Sequence, residues 1–334
     1  MYSFAVLGLF QSSVGVMLQP LTLQYSLSDV RVSFIFIVGP VAYVLAAQLS
    51  HLIHSTWGQR GIAILAPTLH ILGALGISAH PPFPLVLLTF GAISLGLCSP
   101  SVVELCVLFL AFRNESALKY RGEKLASEAL PLAMLKHPAI WLSAQYFLAY
   151  VGIETAISGW IVLFMIRHRN AKPSQASIAS SVFWGGMAVG RFALGALTDQ
   201  LGEGRGNIVY FLITIALQVF FAFLEGRTAS IFLLAFIGFF MGPMFASGVV
   251  LLTRLLPTEQ HVAAVSFVAS AGQVGAALLP LGIGAFIQGM GIGTFRFACI
   301  VLTVLAFLTW IPVSQLRPTT SQLSSSLEDH ARED

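Results

Sequence analysis

The chain has 334 residues, 57% of them hydrophobic and 9% charged, with a formal net charge of +3. Soluble domains carry about 25% charged residues, so this composition excludes a water-soluble core wrapped in a polar surface. Its scattered basic residues give no nucleic-acid footprint, and three cysteines in apolar stretches give neither a disulfide framework nor a zinc site, so no metal or cofactor is expected.

Apolar blocks of about twenty residues match helices that cross ~30 Å of hydrocarbon. In chain order they predict helices at 2–21, 31–54, 61–79 and 83–112, then at 138–166, 176–199, 207–225, 228–254, 262–289 and 292–314. A lipid-exposed backbone must satisfy its own hydrogen bonds, and these runs do not alternate as barrel strands do. The first block has no basic stretch or cleavage pattern before it, so it reads as a span rather than a signal. The expected fold is an all-α polytopic membrane protein of about ten transmembrane helices, four plus six. Residues 1–112 form an incomplete N-terminal bundle, 113–137 a central loop, 138–315 a six-helix bundle and 316–334 a disordered, Ser/Thr-rich tail.

The central loop holds Arg113, Lys119, Arg121, Lys124 and Lys136 among the chain's 17 basic residues, which makes it cytoplasmic by the positive-inside rule. Ten spans then put both termini in the cytoplasm. Arg167, Arg169 and Lys172 fall on the opposite side, against the rule, and the longer loop outweighs them. The sequon Asn114-Glu115-Ser116 lies in that cytoplasmic loop, so glycosylation is not expected there.

The first half departs from the length of the second. Pro84–Phe112, about 29 residues, would be a helix of roughly 43 Å. Cys98-Ser99-Pro100-Ser101 interrupts it. This reads as a seam at which about two helices are missing.

The most specific motif follows the sixth span: Gly190-Arg191-Phe192-Ala193-Leu194-Gly195-Ala196-Leu197-Thr198-Asp199-Gln200-Leu201-Gly202. Gly190 and Gly195 are expected to let a neighbouring helix approach, and Asp199 and Arg191 to form a charge pair with the partner helix that closes one side. A snorkelling arginine and a helix-end aspartate are the structural alternative. The pattern resembles the signature loop of the major facilitator superfamily. At the matching place in the first half, Gly58-Gln59-Arg60-Gly61 keeps the glycine and arginine without a preceding acid. His51 and His54, three apart, lack a third ligand.

Glu154 stands mid-span within Tyr150-Val151-Gly152-Ile153-Glu154. A charge there costs on the order of 3 kcal/mol, so the residue should face a polar cavity and suits a proton carrier. Ser143, Tyr150, Glu154 and Ser158 share one helical stripe, and a phenol and a hydroxyl beside the acid suit a polyol. A protonated glutamate bridging two helices is the bland alternative. Together with Gly159-Trp160, Gly58-Gln59-Arg60-Gly61 and Gly242-Pro243, this stretch resembles the fucose-permease-like sugar transporters, including their fungal relatives. The resemblance implies two helical bundles, alternating access and proton-coupled uptake of small polar solutes such as hexoses.

Ser266, Ser270 and Gln273 in the ninth span, and Gln11 and Gly15 in the first, form weaker polar stripes. Gly238, Gly242 and Pro243 predict a bend. No HExxH, GxSxG or paired aspartate occurs in the spans, and Glu104 has no partner nearby, so an enzyme is not expected. The expected partners are a small polar solute, protons and the bilayer of a plasma or internal membrane, with the chain a monomer. The competing reading is a truncated membrane protein that does not transport.

Overall fold

The computed structural model describes residues 2–42, 45, 65, 68–69, 71–95, 135–257 and 260–316, and every regular element among them is helical. They are α1 (Tyr2–Tyr25), α2 (Asp29–Ser33, followed by helical residues 35–42), α3 (71–78) and α4 (Phe83–Leu95). After the central loop come α5 (Pro138–Arg167), α6 (Pro173–Ala193), α7 (Gly195–Leu201) and α8 (Glu203–Phe223). The last four are α9 (Arg227–Met241), α10 (Met244–Leu255), α11 (His261–Met290) and α12 (Phe295–Gln315).

Five spans among the described residues are long and apolar enough to cross a membrane: Pro138–Arg167, Glu203–Phe223, Arg227–Leu255, Ala263–Met290 and Ile292–Gln315. Their outward faces carry large apolar side chains, including Phe220, Phe232, Phe286 and Leu308. Buried among them are Asn207, Thr214, Gln218, Ser230 and Thr303. Apolar outside and polar inside is the arrangement a hydrocarbon solvent selects.

Local chemistry sets the breaks. Pro138 and Pro173 open α5 and α6, at positions where the missing N–H has no helical partner to lose. Gly202 turns the chain from α7 into α8 at φ +80°, a conformation that favours glycine. Pro243 splits the expected 228–254 helix into α9 and α10, and the Gly242 N–H reaches both the Gly238 and Phe239 carbonyls. The predicted 176–199 helix is interrupted at Leu194. The boundaries of α5, α8, α11 and α12 fall within a few residues of those predicted. The greater part of the basic loop, the seam at Cys98–Ser101, His51, His54, Gly58–Gly61 and the tail beyond Leu316 lie outside the described residues.

The chain divides into two compact units. The first joins Met1–Ala129, Thr155–Ser177 and Ala276–Phe295; the second joins Leu130–Glu154, Ile178–Gly275 and Arg296–Asp334. In the first, α1 presses on α5 so closely that a Cβ on Gly15 would overlap the Ser158 carbonyl. Phe36 packs on Gly159 and tilts against Trp160, whose indole N–H donates to the Pro280 carbonyl of α11 at 2.9 Å. In the second, Tyr146 of α5 stacks on Tyr150 and meets Phe211 of α8 and Trp310 of α12.

Candidate functional site

The break at Gly242–Pro243 organises the second unit. Three side chains from two other helices donate to carbonyls around it. Tyr150 reaches the Met241 carbonyl at 2.8 Å, Tyr146 the Met244 carbonyl at 2.9 Å and Arg191 Nε the Gly242 carbonyl at 3.0 Å. From α8, Asn207 approaches the Met244 carbonyl at 3.4 Å. Glu154 lies one turn beyond Tyr150 on α5, half-buried. It shares a side-chain hydrogen bond with Tyr150 and feels the Arg191 guanidinium. The structure therefore brings Tyr150, Glu154 and Arg191 together.

It places the other expected residues differently. The Tyr150 hydroxyl proton is committed to a backbone carbonyl, which leaves only its lone pairs to a solute. Ser158, in the first unit, is buried and donates to the Thr155 carbonyl of its own helix at 3.2 Å. Gln273, in the second, is half-buried on α11 between Gly272 and Gly275, the two glycines that press on α5. Gln11 sits on α1, and its side chain lies outside the described set.

In the signature loop Arg191 binds the Gly242 carbonyl and the Met187 sulfur, at 3.4 Å, while Asp199 is exposed without an ion pair among the described residues. A carbonyl at a helix break is a fixed acceptor one helix away, whereas Asp199 projects from the short α7. The charge pair of this region joins Glu203 to Arg254, with both guanidinium nitrogens on the carboxylate at 2.7 and 2.8 Å. Glu203 was missed by sequence reasoning, although an acid in the first turn after a turn glycine is a recognisable signal. The glycine spacing requires a correction. Gly190 meets α9, but Gly195 meets nothing within 4 Å; the close approach uses Gly186 and Gly190 against Gly238 and Gly242.

In the first unit, Asp29 at the start of α2 pairs with Arg167 at the end of α5, 2.8 Å apart. The Val30 N–H donates to Gln288 of α11 at 3.3 Å, and Ser33 packs against Gly284. These contacts hold α2 against the ends of α5 and α11. They also explain the basic cluster that offends the positive-inside rule: Arg167 is neutralised, and Arg169 is buried with its guanidinium 5.6 Å from the Phe164 ring. At this partial exposure the ion pair contributes about 1 kcal/mol. Arg167→Gln is therefore expected to raise labelling of a cysteine placed at Ser33 roughly five-fold, in a chain whose native cysteines are replaced by alanine. Asp29→Arg combined with Arg167→Asp should return the rate to that of the parent. Equal labelling in all three chains would make the pair ornamental.

The Major Facilitator Superfamily model matches residues 142–330. The chain is 24% identical to Bypass of stop codon protein 6 of Saccharomyces cerevisiae over 396 aligned positions, which cover 92% of this chain and 80% of that protein. It is 29% identical over 161 residues to a putative glucose/galactose transporter of Helicobacter pylori, covering 47% of this chain and 38% of that one. The crystal structure of a variant of the Escherichia coli fucose:proton symporter superposes with a TM-score of 0.57 at 15% identity, covering 95% of this chain and 99% of that one. That likeness is one of fold.

Proposed function

Because the chain belongs to the Major Facilitator Superfamily, and is thereby a multi-pass secondary transporter of the alternating-access type rather than an enzyme, we propose that it moves a small polyol such as a hexose together with protons. The observation that carries the proton half is Glu154. A protonated carboxyl is the form that the middle of an apolar span favours. Releasing that proton exposes a carboxylate to the Arg191 guanidinium. An acid whose partners favour a different protonation state in each conformation is what coupling requires. The sugar half rests on the fucose:proton symporter fold and the glucose/galactose transporter likeness. In this reading Gln273 contributes to solute binding and the Gly190–Gly202 loop is the cytoplasmic gate. Both termini are cytoplasmic, and the carrier works as a monomer.

A second reading has its own support. The yeast alignment spans 396 positions against 334 residues in this chain, so at least 62 positions face gaps in it. Two helices need about 40 residues plus their connections, which fits a first bundle of four spans with the seam at Cys98–Ser101. A carrier lacking two helices of one bundle loses a wall of its cavity, and would be a membrane protein that does not transport. Uptake of a labelled hexose panel into proteoliposomes, with and without an inward proton gradient, separates the readings. Gradient-stimulated uptake supports the carrier; none for any solute, from folded protein, supports the second.

A further inference from the structure

In the second unit α8 and α12 run antiparallel, and three contacts fix their register. The Trp310 indole donates to the Gly204 carbonyl at 3.2 Å, the Phe211 and Phe307 ring centroids lie 5.7 Å apart, and Arg296 donates to the Ala222 carbonyl at 2.7 Å. Between the last two contacts, helical spacing puts Thr214 and Gln218 on the buried face of α8 at the level of Thr303 and Cys299 on α12. All four are enclosed, at 0%, 2%, 1% and 5% exposure respectively.

Three of them are polar and unanswered. Thr214 Oγ1, both amide atoms of Gln218 and Thr303 Oγ1 have no hydrogen-bond partner among the described residues. Helical threonines elsewhere in the chain turn back onto their own preceding turn. Thr22, Thr198, Thr253 and Thr309 do so at 2.7–2.9 Å. Thr214 and Thr303 instead forgo that local bond. Leaving four polar atoms dry in one layer of a membrane helix bundle is among the least favourable arrangements available.

The chemistry of the set selects what answers it. The Gln218 amide N–H groups and the two threonine O–H groups need an acceptor, while Gln218 Oε1 needs a donor. Among the described residues neither α8 nor α12 carries a carboxylate at this level, so a bound cation would keep its charge uncompensated, and an anion would meet Oε1. A small neutral group that donates and accepts, with two to four polar partners, is water. We infer that α8 and α12 enclose a built hydration site, in which one or two waters are held by Thr214, Gln218 and Thr303. This does not depend on which solute the carrier moves. Water at this level joins the two helices by hydrogen bonds without tying one side chain to another.

X-ray radiolysis of the full chain in detergent micelles tests the site, because hydroxyl radicals form at enclosed waters as well as in bulk. Cys299 should be oxidised at least tenfold faster than Met187, a sulfur side chain at 1% exposure in the same unit. The combined Thr214→Val, Gln218→Leu and Thr303→Val chain should bring Cys299 down to the Met187 rate. Thr303→Val alone, the gentlest change, should lower it several-fold should the triple variant not fold. A native Cys299 as inert as Met187, or oxidation indifferent to the substitutions, overturns the site. The first of these results would mean that the three side chains satisfy one another directly.

Discussion

Glu154→Gln is expected to abolish proton-driven accumulation while leaving folded yield unchanged. Glutamine keeps the volume and leaves the Tyr150 bond to the Met241 carbonyl in place. The break at Pro243 and its ring of donors should therefore survive. What glutamine cannot do is give up a proton and become a negative charge facing Arg191. For one proton per solute, each pH unit of gradient supports at most about a tenfold concentration ratio, equivalent to about 1.4 kcal/mol. In the variant that ratio should fall to one, with exchange of labelled for unlabelled solute still running, since exchange needs no net proton movement. Accumulation that continues at the parental ratio would make Glu154 a structural bridge. Loss of exchange together with accumulation would point to a solute contact instead.

Where α5, α8, α11 and α12 lie was legible because membrane insertion reads composition and length, which are local. Pro243 as a break was legible for the same reason: a proline beside glycines, with no N–H to donate, is a local signal for a break, although Pro20, Pro280 and Pro312 stand inside unbroken helices. What fills the break was not. The sequence shows Tyr150 as a free phenol, and nothing near it in the chain announces that its proton goes to Met241, 91 positions away. Arg167 and Asp29 are 138 positions apart, so the basic cluster looked like a topological anomaly until its partner was in place. Arg191 is the same lesson in reverse. The motif's charges were expected to pair with the partner helix, and what Arg191 meets there is a backbone carbonyl, at Gly242. Glu203, beside the motif and unremarked, holds the ion pair with Arg254 that the motif was expected to supply.

The glycines of α6 separate the sequence expectation from the structure most sharply, and they carry the other large effect. α6 and α9 run parallel, and their backbones touch at four glycines in two rows, Gly186 and Gly190 against Gly238 and Gly242. A Cβ on Gly190 would overlap the Phe239 carbonyl, and one on Gly238 the Phe183 carbonyl. These are backbone atoms of packed helices, with no side chain free to rotate away, so the helices must part. Overpacking of this kind costs about 1–3 kcal/mol, and parting also draws the Gly242 carbonyl away from Arg191 Nε. Gly190→Ala should accordingly lower the unfolding midpoint by several degrees, and Gly190→Leu should leave little folded protein in size-exclusion profiles. Gly195 and Gly185 have nothing within 4 Å of an added Cβ. Gly195→Ala and Gly185→Ala should be neutral, or stabilising by up to about 1 kcal/mol through helix propensity. The spacing of five read from the motif predicts that Gly190 and Gly195 fail together. The spacing of four seen between the helices predicts that Gly186 and Gly190 fail while Gly195 does not. A heat-challenge comparison of the three alanine variants decides between them, and equal damage from Gly195→Ala and Gly190→Ala would sink the close approach described for α6 and α9.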